Sequence, residues 1–329
     1  MHAGVSLMAA STVLNRGKST SRVSEVTRRR ILAASEEIGY QADAVARSLR
    51  DNRAGAIGFY NGLGFIDPAD EIISDVFHGL HLECTNHNVD LLLYNGLHLV
   101  SQNDALSKLT ENKVDGVIVL PRPEDTALIG MLGSSRQALV SLREPSENAI
   151  NVVADDEHAS GTLAAYLADL GHTTVMYRRS RELYASRMLR CIGFHAAAVR
   201  RGVMLIETTA GIDGRLSEAE KGILVSHRDH HISAVACSND LAAYETIRFC
   251  HEVGIRVPED LSIVGFDGLS TPSGLPGVEL STMKVDWLKM ARIAVECVLD
   301  QQSSGGVTVN TVHPCMFLSG NTTTQVFRN

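Results

Sequence analysis

From Ala56 to Phe266 the chain alternates short continuous apolar runs with longer stretches of helical period, and few architectures accept that pattern. The runs are "AIGFY" (56–60), "DLLLY" (90–94), "GVIVL" (116–120), "ALVSL" (138–142), "NVVA" (151–154), "TVMY" (174–177), "SAVAC" (233–237) and "SIVGF" (262–266). Helical periods fill 71–88, 102–112, 124–132, 157–170, 184–201, 215–228, 239–253 and 286–300. A strand that is apolar on both faces must be covered on both, and an amphipathic helix between two such strands is the crossover that makes them parallel. Eight such strands therefore predict an α/β body of two doubly wound parallel-sheet subdomains rather than one large sheet. With 329 residues and 44% apolar content, the chain has the material to fill both cores. Its apolar runs fall far short of the roughly 20 residues that span a bilayer. The opening "MHAGVSLMAASTVLN" lacks the basic segment of a secretory leader, so no membrane partner and a cytoplasmic location are expected.

Ahead of that body the texture differs. Residues 1–53 carry nine Lys/Arg against five Asp/Glu, which leaves 21 basic and 33 acidic residues of the totals of 30 and 38 for the remainder. A small basic head on an acidic body suits a phosphate-binding module joined to one that does not bind nucleic acid. The head reads as short helices at 6–15, 25–39 and 43–50. Ser6 and Ser24 are placed to cap, Gly39 to stop the second helix, and Val13 and Leu14 to face inward from the first. Val26, Ile31, Leu32 and Ile38 form the predicted inner stripe of the second. The tight turn "HAGVS" followed by a short helix with small polar residues is the plan of a helix-turn-helix reader.

Other chemistries find little support. Six cysteines (Cys84, Cys191, Cys237, Cys250, Cys297, Cys315) show no C-x-x-C pair and no nearby paired histidines, so they read as ordinary buried thiols without a metal or a disulfide framework. The cluster His227 to His231 lacks regular ligand spacing and reads as a solvated loop. Gly62-Leu63-Gly64 lacks the third glycine of a dinucleotide fingerprint, and no P-loop, G-x-S-x-G or H-E-x-x-H is present. Neither an enzyme nor a cofactor is expected.

Several motifs agree in order and spacing along essentially the whole chain: "AGVSLMAASTVLN", "VSEVTRRRILAASEEIGYQADAVARSL", "LADLGH", "RCIGF", "CSNDLAAYETI", "LSIVGFDGLS" and the tail "SGNTT". In them the chain resembles the lac repressor and purine repressor (LacI/GalR) family. That resemblance implies a small all-α helix-turn-helix head over residues 1–55 and a periplasmic binding protein-like body over 56–329. The body would divide into interleaved subdomains, about 56–155 plus 284–312 and about 156–283 plus 313–329, joined by three crossovers. In the family the second helix of the reader lies in the major groove, a place that Ser6 to Asn15 would take here. Leu7, Met8 and Ser11 would then face base edges, and Ser6 and Asn15 would touch phosphates. Thr12 stands where many members carry arginine, which implies weaker or differently directed base readout. Residues 44–50 would be a hinge helix that folds on DNA, two copies entering the minor groove. Leu49 is the wedge, Ala46 permits close approach, and Arg47 and Arg50 lie near phosphates. Seven residues make too short a helix to hold alone in water, so such a segment can act as a switch.

In the body, Asp155, Asn239 and Asp267 each follow a predicted strand, where open α/β sheets bind their ligands. The resemblance makes Arg190, Asn239 and Asp267 the core of a site for a small sugar-like effector, with Tyr60, Phe65 and Asp67 adding a stacking surface and a polar contact. It implies a homodimeric transcriptional regulator, a repressor in kind, on double-stranded operator DNA. The alternative is a soluble sugar-binding or sensor protein with a non-functional head. Two departures from the family pattern stand out: members begin earlier, with a further helix leading into "AGVS", which is the feature that divides the two readings, and the loop "RGKSTSR" is longer than usual, its Lys and Arg placed to touch phosphates.

Overall fold

The computed structural model describes residues 4–14, 23–40, 53–62, 64, 70–95, 97, 100–135, 137–181, 184–211, 214–304 and 310–326. The hinge segment 44–50, with Ala46, Arg47 and Leu49, lies outside them, as do Asn15, Phe65 and Asp67.

The head holds α1 (Leu7–Leu14) and α2 (Glu25–Glu37). Each starts on its serine: the Ala9 amide donates to Ser6 Oγ at 3.2 Å, and the Thr27 amide to Ser24 Oγ at 3.3 Å. Gly39, with φ +58°, closes α2 by letting the Tyr40 amide reach Ser35 O and its own amide reach Glu36 O, a Schellman arrangement. The predicted inner stripe of α2 needs correction. Ile31 is buried, but Val26, Leu32 and Ile38 are exposed. A contact between two short helices covers about one position on each, here Val13 and Ile31.

The body runs β1 (Ala56–Asn61), α3 (Glu71–Asn86), β2 (Asp90–Tyr94), α4 (Gln102–Leu109), β3 (Gly116–Leu120), α5 (Thr126–Gly133), β4 (Ala138–Leu142), β5 (Ile150–Ala154) and α6 (Asp156–Asp169). It continues through β6 (Thr174–Arg179), α7 (Ala185–Arg200), β7 (Met204–Thr209), α8 (Glu218–Val225), β8 (Ala234–Cys237), α9 (Asp240–Val253), β9 (Ser262–Asp267) and β10 (Ser281–Lys284). Last come α10 (Trp287–Ser304), β11 (Thr311–His313) and β12 (Met316–Leu318). One sheet orders its strands β11-β5-β4-β3-β1-β2 and the other β12-β10-β9-β8-β6-β7. All pairs are parallel except β10 with β12. The chain passes between the two sheets after β5, after β10 and between β11 and β12. Helix α10 returns to the first sheet to pack on α3 and β4.

In the second lobe the buried Arg178 of β6 ties both covering helices to the sheet. Its Nε donates to Glu220 at 2.8 Å, and its Nη1 to Ala242 O and Thr246 Oγ1, both at 2.7 Å. On the opposite face α6 and α7 cross with glycine on each side. A Cβ built on Gly193 would overlap the Glu157 carbonyl, and one on Gly161 would stand 3.2 Å from Gly193 O. This close approach sets where every residue of α7 points. Gly193→Ala should therefore push the two helices apart and lower the urea midpoint by an amount equivalent to about 1–3 kcal/mol, the usual cost of overpacking. An unchanged midpoint would show that the crossing is looser than this geometry requires.

Candidate functional site

Parallel strands deliver their carboxyl ends to one edge of a sheet, and acidic and amide residues at the ends of β8 and β9 of the second sheet lie there with those that follow β5 of the first, where the chain crosses into the second lobe. At their centre is Arg190, on the buried face of α7. Its Nε donates to Asp156 Oδ1 at 2.7 Å and its Nη1 to Ser238 O at 2.8 Å, while its Nη2 lies 2.9 Å from Asp267 Oδ1. The Phe266 ring lies under the guanidinium, 3.7 Å from Cζ to the ring centroid. Burial works against the charge, but Asp267 and Asp156 hold the Arg190 pKa above its ordinary value. Burial pushes the Asp267 carboxyl up, opposed by Arg190, Arg187 and Arg143.

Asp267 closes β9 with φ +126°, a conformation that L residues rarely adopt and that costs about 1–3 kcal/mol. The ion pair with Arg190 helps hold it there. Asn239 is the N-cap of α9, its Oδ1 accepting from the Ala242 amide at 2.8 Å. Asp155 does the same for α6, accepting from the His158 amide at 3.3 Å.

The structure thus pairs Arg190 with Asp267 and sets Asn239 directly after Ser238, whose carbonyl Arg190 binds. Tyr60 is engaged elsewhere. It is buried in the first lobe's apolar cluster that also holds Leu97, Leu109 and Leu128, and its hydroxyl donates to Asp125 Oδ1 at 3.2 Å. Burial and the Asp125 charge push its phenol up to about 12. That packing uses the ring, so Tyr60 does not offer the stacking surface expected from the sequence.

Several residues that sequence reasoning passed over complete the cleft. Glu144, in the loop after β4, reaches across from the first lobe and accepts from the Ala185 amide at 2.7 Å and from Ser186 Oγ at 2.5 Å. It satisfies the start of α7, where the N-cap Tyr184 makes no side-chain bond. Beside it, Arg143 (φ +79°) lies over the Tyr184 ring at 4.5 Å. A second bridge between the lobes joins the Ser270 amide to Glu71 at 3.0 Å. Asp156 directly follows the predicted strand-end residue Asp155, and that position was its only signal in the sequence.

In the head, Leu7 and Met8 are 91% and 73% exposed, Ser6 is exposed, and Ser11 is partly covered. Two large apolar side chains thus stand free on a capped helix.

Behind Asp267 lies Asp240, whose carboxylate accepts from the Gly268 and Leu269 amides, both at 2.7 Å, and from Thr282 Oγ1 at 2.6 Å. Burial, then the neighbouring Asp267, push its carboxyl up to about 7 against these donors. A carboxyl whose native pKa lies above its unfolded value favours folding while protonated. That contribution is present at acid pH and is lost as pH rises from about 4 to about 7. Urea unfolding of the native chain and of Asp240→Asn at pH 5 and pH 8 should show the native chain losing ground to the variant at the higher pH. An identical difference at both values would mean that Asp240 does not titrate in this window.

Comparison with known proteins fits this geometry. Residues 1–43 match the family described as bacterial regulatory proteins, lacI family, and residues 164–319 match the periplasmic binding protein-like domain. The HTH-type transcriptional repressor PurR of Photobacterium profundum is 26% identical over 309 residues, covering 91% of this chain and 89% of its own length. PurR of Vibrio vulnificus is 29% identical over 276 residues, 81% of this chain and 80% of its own. The lac repressor dimer bound to operator and the anti-inducer ONPF aligns with a TM-score of 0.78 at 21% identity, over 98% of this chain and 97% of that one. The CelR–cellobiose complex aligns at 0.70 and 19%, over 98% and 97%. At these identities the solved structures speak to the fold, and the fold is the two-lobed body with its helical head. One chain thus joins a head that matches the lacI family of bacterial regulatory proteins to a body that matches the periplasmic binding protein-like domain.

Proposed function

We propose that this protein is a transcriptional repressor that binds a two-fold symmetric operator as a homodimer and is controlled by a sugar-like effector in the cleft between its lobes. The observation that carries the reading is the exposure of Leu7 and Met8 on a capped helix of a lacI-family head. Exposed apolar side chains on such a helix suit contact with thymine methyls and base edges, while Ser6, Ser11 and Asn15 serve for polar contacts. Leu49 acts as the minor-groove wedge, with Ala46 and Arg47 beside it. Relatives named as repressors support the regulatory role.

For the effector, the support is chemical. Two carboxylates, an amide and a guanidinium converge at the strand ends, and three of the five guanidinium N–H groups are already bound within the chain. Arg190 therefore fixes Asp267 and Asp156 in place, and ligand hydroxyls use the oxygens and donors left over. Phe65 and Asp67 would add a stacking surface and a polar contact. Structural neighbours with bound cellobiose or ribose point to the same class of ligand.

Two measurements test this. Selection from random DNA by the full chain should return a symmetric site, and Leu49→Ala should weaken binding to that site far more than to unrelated DNA; equal losses on both would remove the wedge. In a thermal-shift screen of sugars, sugar acids and polyols, at least one should stabilise the protein, by about 2.7 kcal/mol at one hundred times its Kd. Asp267→Asn should abolish the shift, and a shift that survives would place the ligand outside this cleft.

A further inference from the structure

The outer edge of the second lobe carries a cluster for which neither the cleft nor the head has a use. Cys191 and His195 are four residues apart on α7 and so share one face of it. Strand β7 is the edge of its sheet and pairs with β6 in a register that sets Glu207 beside Tyr177. Neighbours across a parallel pair point to the same side, and Tyr177 faces α7: its ring stacks on Phe194 at 4.8 Å and meets the His195 ring edge-on at 5.6 Å. Glu207 therefore rises toward the face that bears Cys191 and His195. Their three donor atoms, a sulfur, a ring nitrogen and a carboxylate oxygen, lie within 4.8 Å of one another.

We propose that Cys191, His195 and Glu207 form a binding site for a divalent transition-metal ion of the zinc class. Metal–ligand bonds of about 2.0–2.3 Å at tetrahedral angles put donor atoms about 3.3–3.7 Å apart. His195 Nε2 and Glu207 Oε1 are 3.5 Å apart, so modest side-chain rotation seats all three. His195 Nε2 is shielded from solvent and makes no hydrogen bond, an arrangement that an ion would satisfy. A thiolate and a carboxylate together match the charge of a divalent cation, and the nearby Arg179 is held aside by a bond from its Nε to Thr209 Oγ1 at 2.9 Å. On binding, the Cys191 thiol gives its proton to solvent as the S–metal bond forms, and a water takes the fourth position. A simple His195–Glu207 ion pair is the competing explanation, but at this exposure it is worth little and leaves Nε2 without a hydrogen bond.

The test uses the full chain, stripped with chelator and titrated with Co(II), whose thiolate charge-transfer and tetrahedral d–d absorptions report the ligand set. One equivalent should bind with both signatures, and Zn(II) should displace it. Cys191→Ser should lose the charge-transfer band. His195→Gln and Glu207→Gln, both at partly exposed positions, should each weaken Co(II) binding at least about tenfold with melting temperatures unchanged. Cys315→Ser should bind as the native chain does. Absence of the thiolate band at saturating Co(II), or a band that survives Cys191→Ser, overturns the site. If Cys191→Ser does not fold, the two surface variants decide: unchanged Co(II) affinity in both overturns it as well.

Discussion

A guanidinium buried in the interior is tolerable only when its charge is met and its donors are used, and in this molecule that requirement organises the second lobe. Arg190 meets it with Asp156 at the start of α6, Ser238 at the end of β8 and Asp267 at the end of β9. None of these elements is a sequence neighbour of another, so one side chain pins two strand-to-helix transitions and the end of β9 to α7. The ion pair also helps hold Asp267 in its unfavourable backbone conformation. Removing one member of such a group leaves the remaining charges buried and unpaired, which costs more than the pairs contributed. The same arrangement creates a polar floor at the strand ends, where the fold of an open α/β sheet places a ligand.

One apolar cluster runs from Phe59 and Ile118 of the first lobe through Val285 and Trp287 to Tyr177 and Phe266 of the second, and polar contacts join the lobes across the cleft. Glu144 caps α7 from across the cleft, and Glu71 accepts from the Ser270 amide at another point between the lobes. Bonds of this kind exchange readily for bonds to water, so their net worth is small, about 0.5–1.5 kcal/mol each, and somewhat more where a charge takes part. Under the proposed function, a ligand that adds a comparable number of contacts between the lobes would bias their relative posture.

Much of this was legible in the sequence, for reasons that differ by element. The body helices were read to within four residues at either end because each is amphipathic and most start on a capping side chain such as Asp70, Ser101, Asp155, Ser217 or Asn239. Strands apolar on both faces announced themselves. Strand β7 did not, because an edge strand is half exposed and "MLIETT" carries only a short apolar run; β10, β11 and β12 are too short for any period to show. The stripe assigned to α2 failed because periodicity shows which residues share a face, not whether anything covers that face. In the cleft, position after a strand pointed to Asn239 and Asp267, and family likeness to Arg190. Glu144 was invisible because its role, capping a helix in the other lobe, exists only after both lobes have folded. Tyr60 misled in the opposite way: a tyrosine at a strand end looks available, yet Asp125, sixty-five residues on, takes its hydroxyl.

Helix α7 shows why local pattern and tertiary role separate. Successive residues on a helix point about 100° apart, so Arg190 and Cys191, adjacent in sequence, serve different faces: one enters the cleft, the other turns toward the edge strand. The spacing Cys191-x-x-x-His195 places two donors on one face, but a pair of donors alone does not make a site. The third donor, Glu207, comes from a strand whose sequence scarcely reads as one, and only the register of β7 on β6 brings it within reach. The Gly193 crossing, which lets α6 sit against α7, fixes the rotation of the helix about its axis. The rotation that drives Arg190 into the acidic floor is therefore the same one that presents Cys191 and His195 to Glu207, so the geometries of the cleft and of the edge cluster depend on a single helix packing.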